Sequence, residues 1–212
     1  MVLKSTFFGS VAWYAMLARA KEPVYIEACE NFVKQTERSR CVIATANGTQ
    51  KLTVPVGNPI PTSPLGVPLS EGRKAESVSI SKIPIREVRI SDHDNWRRQH
   101  WNTLCTAYGE SPFFDYYADD LRPFFEKKWD YLFDYNLEIT HKMCELLDIS
   151  PDIRLTNEFV PSPKPDMNDF REVINNLKPY YQVFGKRHGF IGNLSILDLL
   201  FNEGNEAILT LL

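Results

Sequence analysis

The chain has 212 residues, of which 43% are hydrophobic, 24% charged and 12% aromatic, and its formal net charge is −3. This balance is typical of a globular protein with a sizeable core, and it argues against intrinsic disorder, collagen-like repeats and a disulfide-dense mini-protein. The small negative charge favours neither a basic nucleic-acid binder nor a basic membrane-surface protein. The length indicates one domain over 1–212, with a strand-rich half (1–90) and a helix-rich half (91–212).

The sequence predicts a cytoplasmic protein. No stretch approaches the roughly 18 consecutive apolar residues of a membrane helix. Residues 1–20 alternate apolar runs with polar residues and glycine, so we interpret them as a strand and a helix rather than as a signal peptide. Four scattered cysteines without a C-x-x-C pair are typical of reduced, mostly buried thiols.

The first half of the chain predicts short strands. Val2–Phe8 is β-prone, a helix capped by Ser10 follows, and Val24–Ile26 predicts a second strand, so the opening suggests a parallel strand–helix–strand unit. Two further β runs, 41–46 and 51–56, flank Asn47-Gly48, the strongest short hairpin signal.

A segment rich in proline and glycine follows this hairpin. Residues 57–75 contain four prolines, which predicts a mobile connector or lid without regular structure. Ile83–Ile90 regains β character, and Pro84 places that strand at a sheet edge.

The second half predicts helices. One spans 94–108, an aromatic segment over 111–133 breaks near Pro123, and a long amphipathic helix covers 129–147. The dense aromatics favour a core role over sugar stacking. The predicted fold class is therefore α/β, a single domain with a mixed sheet from the N-terminal half, including the Asn-Gly hairpin, and with helices packed on it mainly from the C-terminal half.

The first candidate site is a basic cluster of Lys34, Arg38 and Arg40. Residues four apart are neighbours on a helix and residues two apart share a face of a strand, so either geometry brings two cations together. Such a cluster could hold a phosphate or carboxylate. The alternative is a solvated face on which Glu27, Glu30 and Glu37 pair the cations.

The second candidate lies on the helix 94–108. Trp101, Leu104, Cys105 and Tyr108 form its predicted buried stripe, which Arg97 extends by one turn. An arginine in line with core positions needs a partner or a polar cavity. His100, at the edge of the stripe, is a candidate general base, and the alternative is a histidine satisfied by a backbone carbonyl.

Other chemical signals are weak. His141, Cys144 and Glu145 share a helical face, but no second ligand pair lies nearby, so no metal site is predicted. No phosphate-loop, dinucleotide, nucleophile-elbow or zinc-protease motif occurs, and no cofactor is identified. The turn 7–10 could expose backbone N–H groups at a helix N-terminus as a generic anion site.

Four segments, taken together, resemble the WbqC-like family of bacterial proteins. They are STFFGSVAWYAMLA (5–18), ENFVKQTERSRCVIATANGTQKLTVPV (30–56), WRRQHWNTLCTAYGESPFFDYYADDL (96–121) and GFIGNLSILDLLFNEG (189–204). The family usually has asparagine between two arginines where this chain has Ser39, and often has proline where it has Gly192. The motif positions that carry over are Lys34, Arg38, Arg40, His100, Trp101 and Tyr108.

The resemblance implies a role in O-antigen and surface-polysaccharide biosynthesis, since family members are described as glycine transferases or as uncharacterised proteins. On that basis the predicted function is transfer of an acyl or aminoacyl group to an amino sugar. His100 would then be catalytic, and the cluster residues with Arg97, Trp101 and Tyr108 would bind an anionic or nucleotide-sugar substrate. The alternative is a non-catalytic protein of the same pathway that binds a nucleotide sugar or a partner protein. A phosphoryl- or nucleotidyl-transferring enzyme is a weaker reading, because the usual carboxylate–metal set is missing.

Overall fold

The structure is a computed structural model, and it describes residues 1–57, 80–160 and 177–212. The predicted connector 57–75 lies outside these residues except for Gly57. The strands are β1 (Val2–Lys4), β2 (Val24–Glu27), β3 (Arg40–Thr45), β4 (Gly48–Thr53), β5 (Val56–Gly57), β6 (Arg89–Ile90) and β7 (Ile153–Leu155). The α-helices are α1 (Val11–Ala18), α2 (Trp96–Tyr108), α3 (Phe114–Glu126), α4 (Leu132–Leu146), α5 (Gly185–His188), α6 (Ile196–Glu203) and α7 (Ala207–Leu211).

The opening strand–helix–strand unit forms, but its first strand ends at Lys4 rather than at Phe8. Ser10 holds the N-cap position of the helix without a capping hydrogen bond from its side chain, whose hydroxyl donates to Glu37. β1 and β2 pair in parallel, with Val2 opposite Tyr25, and α1 connects them. β2 is the central strand, because β7 pairs in parallel on its other side with Ile153 opposite Val24. The third strand of this sheet therefore comes from the helix-rich half.

The predicted hairpin is also confirmed. β3 and β4 pair antiparallel from Arg40 opposite Thr53 to Thr45 opposite Gly48. The two loop residues are therefore Ala46 and Asn47, and the positive φ of 112° falls on Gly48. This differs from the expected turn centred on Asn47-Gly48, in which both residues would have positive φ.

The predicted strand Ile83–Ile90 is mostly wrong. Only β6 forms, and it pairs antiparallel with β5. Ile80–Lys82 and Ile85–Glu87 are short 3₁₀ helices instead. Pro84 lacks an N–H for a strand ladder, and tight turns allow Ile83, Ile85 and Val88 to be buried together.

The described strands form three small sheets rather than the one mixed sheet expected. The β3 edge that does not pair with β4 forms hydrogen bonds with other elements. The Val42 carbonyl accepts from Ser195 N–H, and Ala44 N–H donates to the Tyr108 hydroxyl. One hydrophobic cluster extends from Leu3 to Leu211 and joins all three sheets to the helices. The fold class is confirmed as mixed α/β, with strands mostly in the N-terminal half and helices mostly in the C-terminal half.

The aromatic segment contributes to this core. α3 does not break at Pro123 as expected but continues to Glu126, one turn beyond the proline. Burial of Phe124 and Phe125 holds this last turn, and the Tyr135 hydroxyl donates to the Phe124 carbonyl at 3.0 Å. Packing therefore outweighs the hydrogen bond that proline cannot make.

Candidate functional site

A cleft of about 320 Å³ lies between the hairpin strand β4 and the first half of α2. Such a volume is at the small end of ligand sites in proteins. Its lining is mostly polar and comes from two segments: Gln50, Lys51, Leu52, Thr53 and Pro55 on one side, and His93, Asp94, Trp96, Gln99, His100 and Thr103 on the other. The cleft therefore lies between two regular elements of the fold.

Helical spacing sets one wall of the cleft. Trp96, Gln99, His100 and Thr103 are separated by three, four and seven positions, so they share one face of α2. The helix buries Trp96, His100, Leu104, Ala107 and Tyr108. His100 thus lies in the middle of the buried face, not at its edge as the expected stripe placed it, and it also lines the cleft.

His100 is surrounded by aromatic rings. Its ring is 5.2 Å from that of Trp96 and 6.1 Å from that of Phe7, and only 8% of the residue is exposed. Nδ1 is buried and has no hydrogen-bond partner, so the backbone-carbonyl alternative is not seen at this nitrogen. Burial lowers the pKa of His100 to about 4, because the imidazolium would lose its hydration without gaining an acceptor. The side chain is therefore uncharged at neutral pH, and Nε2 is the nitrogen that can meet a ligand.

Arg97 follows Trp96 on α2 and is mostly buried. Its guanidinium lies 4.5 Å from the centre of the Trp96 ring, and Nη1 donates to Asp92 at 2.5 Å. Nε and Nη2 are buried without acceptors. Asp92 also pairs with Lys128 at 3.2 Å, and the Arg97 contact lowers the pKa of its carboxyl. Arg97 is thus paired with Asp92 and packed on the Trp96 ring. Its proposed role in substrate binding stays a prediction.

The basic cluster is divided by the fold. Arg38 is buried, and its guanidinium donates to both carboxylate oxygens of Glu30 at 2.7 and 2.6 Å. Lys34 is exposed in the segment before β3, whereas Arg40 is half-buried at the first position of β3. The alternative of pairing by glutamate therefore holds for Arg38, although the pair is buried rather than solvated.

Trp101 and Tyr108 do not line the cleft. Trp101 packs against Phe114 and Phe125, with ring centroids 6.0 and 5.7 Å away. Tyr108 is fully buried; its hydroxyl donates to Asp198 at 2.8 Å and accepts from Ala44 N–H at 3.1 Å. Burial, followed by the nearby Asp198 carboxylate, raises the pKa of Tyr108 well above its usual range. These contacts hold α2 against α6 and the hairpin.

The N-terminus of α1, the expected anion site, already has protein acceptors. The Ser10 N–H and hydroxyl donate to the Glu37 carboxylate at 3.4 and 3.3 Å. Val11 N–H donates to a backbone carbonyl, and Ala12 N–H donates to the Asn193 side chain at 3.0 Å. The chain's own Glu37 thus occupies the place of an external anion.

Sequence reasoning missed most of the cleft lining. Gln99 and Thr103 could have been found, since they share the helical face of His100. Lys51 and Thr53 alternate along β4, a pattern that is typical of any exposed strand face. Nothing in that pattern distinguishes a cleft wall from a solvated surface.

Two general properties concern the described ranges alone. Within 1–57, 80–160 and 177–212, no three His, Cys, Asp or Glu side chains are grouped closely enough to hold a metal ion. None of the helices in these ranges has the length and apolar character needed to span a membrane. All four cysteines are free thiols, as expected, with Cys41 and Cys144 buried.

Comparisons with known proteins give a family and one distant relative. The model described as "WbqC-like protein family" matches residues 65–178. The chain is 26% identical to "Uncharacterized protein Rv1507c" of Mycobacterium tuberculosis over 241 aligned residues, covering 97% of this chain and 94% of that protein. No solved structure matches the chain.

Proposed function

This chain belongs to the WbqC-like protein family, and from that premise and the geometry of the cleft we propose that it is a transferase. It moves a small acyl or aminoacyl group, such as glycyl, to the amino group of an amino sugar during surface-polysaccharide biosynthesis in the cytoplasm. The observation that carries the proposal is His100, a histidine that is uncharged at neutral pH and lines a ligand-sized cleft. The substrate class comes from the family resemblance.

The proposed reaction forms one amide bond. The sugar nitrogen attacks the carbonyl carbon of the donor, the bond from that carbon to the leaving group breaks, and the electron pair departs with the leaving group. Nε2 of His100 takes the proton that the attacking nitrogen loses and returns it to the leaving group. A pKa of about 4 makes His100 a weak base at neutral pH. The proposed transfer therefore takes place after the attacking nitrogen has bonded to the acyl carbon, which makes its proton more acidic.

The polar lining supports a sugar as ligand. Gln50 and Gln99 offer amide groups, and Thr53 and Thr103 offer hydroxyls on the two walls. Side chains that both donate and accept match the hydroxyls of a sugar ring. A site between a strand and a helix also holds the reacting groups more rigidly than a site formed by loops.

One observation favours the alternative of a non-catalytic binding protein. Catalytic histidines usually have their second ring nitrogen oriented by a carboxylate or carbonyl. Nδ1 of His100 has no such partner. A pure binding protein for a nucleotide sugar or a partner protein needs no oriented base.

Product formation separates the two functions. The purified protein is incubated with amino sugars, their phosphates and nucleotide derivatives, together with acyl and aminoacyl donors, and N-acylated sugar is measured by mass spectrometry. We expect His100→Gln to lower turnover by about 10²–10⁴-fold while ligand affinity is kept. His141→Gln is the matched control, because His141 is exposed on α4 outside the cleft.

Two results would oppose transferase chemistry. Full turnover in His100→Gln would remove the proposed base. Saturable binding of an amino-sugar nucleotide without any product would support the binding protein instead.

A further inference from the structure

Two cations share one face of the hairpin at the edge of the cleft. Arg40 on β3 is directly opposite Thr53 on β4, and Lys51 is two residues before Thr53. Residues opposite one another, or two apart on one strand, point to the same side of a hairpin. Lys51 and Thr53 line the cleft, and so do Gln50 and Leu52 of the opposite face. The cleft therefore follows the unpaired edge of β4, and the face with the two cations adjoins it along that edge.

Neither cation has an acidic partner among the described residues. No ion pair involves Arg40 or Lys51 in that part of the chain. Arg40 is half-buried, and its Nε is shielded from solvent without an acceptor. A guanidinium has five N–H donors, so Arg40 contrasts with Arg38, whose donors meet Glu30. Within the described ranges, no carboxylate is paired with the Arg40 guanidinium.

We propose that Arg40, Lys51 and Thr53 form an oxyanion subsite that binds the phosphate group of a phosphorylated or nucleotide-linked sugar. Arginine donates two parallel hydrogen bonds to oxyanions, lysine adds a mobile charge, and the threonine hydroxyl between them donates a further bond. Diagonal neighbours on a hairpin are about 7–8 Å apart, which long side chains span. The subsite rests on the proposed function and deepens it, because Lys51 and Thr53 line the cleft at which His100 lies and Arg40 is directly opposite Thr53.

Phosphate fits these donors better than a carboxylate, the other source of the same chemistry. A terminal phosphate presents three free oxygens, and the diphosphate of a nucleotide-linked sugar presents two on each phosphorus. Either is enough for the arginine fork, the lysine and the hydroxyl together, whereas a carboxylate presents two oxygens in all. The acidic residue that lines the cleft, Asp94, comes from the segment before α2 rather than from the hairpin. The cationic face and the base would thus hold different parts of one substrate.

Binding to three probes tests the subsite without requiring turnover. Inorganic phosphate, glucosamine 1-phosphate and acetate are titrated calorimetrically into the wild type, Arg40→Gln, Lys51→Gln and Lys21→Gln. Lys21→Gln is the matched control, since it removes the same charge from an exposed position outside the cleft. We expect Arg40→Gln and Lys51→Gln to weaken binding of both phosphates about tenfold, as for loss of one charge-assisted hydrogen bond, and Lys21→Gln to leave it unchanged.

The outcomes separate this proposal from the transferase. Absence of phosphate binding to the wild type, equal weakening in Lys21→Gln, or unchanged affinity in both hairpin variants would overturn the subsite. Tighter binding of acetate than of phosphate would assign the cations to a carboxylate and refute the phosphate. Weakened phosphate binding in the hairpin variants, in a protein that forms no N-acylated sugar, supports the subsite while the transferase fails. Melting curves of each variant confirm that it is folded.

Discussion

Removing the charge of Glu30 should destabilise the protein strongly. The Arg38–Glu30 pair has two hydrogen bonds of 2.7 and 2.6 Å, and the two side chains are 4% and 9% exposed. Glu30→Gln keeps the shape of the side chain but leaves a buried guanidinium without a counter-charge. Breaking such a pair costs about 3–5 kcal/mol, a large share of the roughly 5–15 kcal/mol that stabilises a typical domain.

The pair and its replacement behave differently. Replacing both partners by apolar residues of similar size removes the desolvation cost of two charges, and such replacements are often neutral or stabilising. We therefore expect Glu30→Leu combined with Arg38→Met to be more stable than Glu30→Gln or Arg38→Met alone. If a single variant does not fold at all and the double variant does, the order of stability is the same.

Urea unfolding followed by circular dichroism measures these differences. The matched control is Glu126→Gln, because the Arg122–Glu126 pair is more than half exposed and should change the free energy of unfolding by less than about 1 kcal/mol. A change below about 1 kcal/mol in Glu30→Gln, or a double variant less stable than either single one, would refute a structural role for the buried pair.

Three further predictions concern single groups. The pKa of His100 is about 4 in the folded chain against about 6.5 when unfolded, so the unfolded state binds more protons between these values. The contribution of His100 to the free energy of unfolding should be fully present above pH 6.5 and should fall by roughly 3 kcal/mol toward pH 4. Urea titrations at several pH values measure this fall, and an equal fall in His100→Gln would contradict the prediction. Tyr108→Phe leaves the Asp198 carboxylate and a backbone N–H short of one partner each and should cost about 1–3 kcal/mol, which the same titration measures; an unchanged midpoint would contradict it. Gly204→Ala should lower the melting temperature more than Gly48→Ala, because both glycines have positive φ but only the first places its added Cβ 2.6 Å from a phenylalanine ring, whereas the second has open space; equal shifts would contradict it.

Local signals predicted the elements that depend on neighbouring residues. The Asn-Gly pair predicted the hairpin, and the periodicity of 129–147 predicted α4. β7 was missed, because three residues within a proline-rich stretch carry no usable pattern and their pairing with β2 is long-range. The strand at 83–90 was overpredicted, because tight turns bury the same apolar residues.

The site was predicted in part for similar reasons. His100 was singled out by its residue type and helix position, and the fold places it at the cleft. Three nearby glutamates could have paired the cations, and only the folded chain shows that Glu30 meets Arg38. No sequence pattern marks Lys51 as a binding residue. Its proposed role depends on Arg40 of the neighbouring strand and on the cleft that β4 forms with α2, and both are visible only in the folded chain. The catalytic role of His100 stays a prediction, as do the binding roles assigned to Lys34, Arg38, Arg40, Arg97, Trp101 and Tyr108.

The position of β7 has a consequence for synthesis of the chain. β2 emerges from the ribosome early but lacks one of its two neighbours until Ile153–Leu155 has been made. Closing so long a loop raises the contact order of the sheet and slows its formation. The last helix adds to this delay. Arg19, the residue directly after α1, donates to the Leu211 carbonyl, and this contact cannot form until the final residues have been made. A nascent chain stalled before β7 should therefore remain accessible to proteases and to chaperones that bind exposed strand edges.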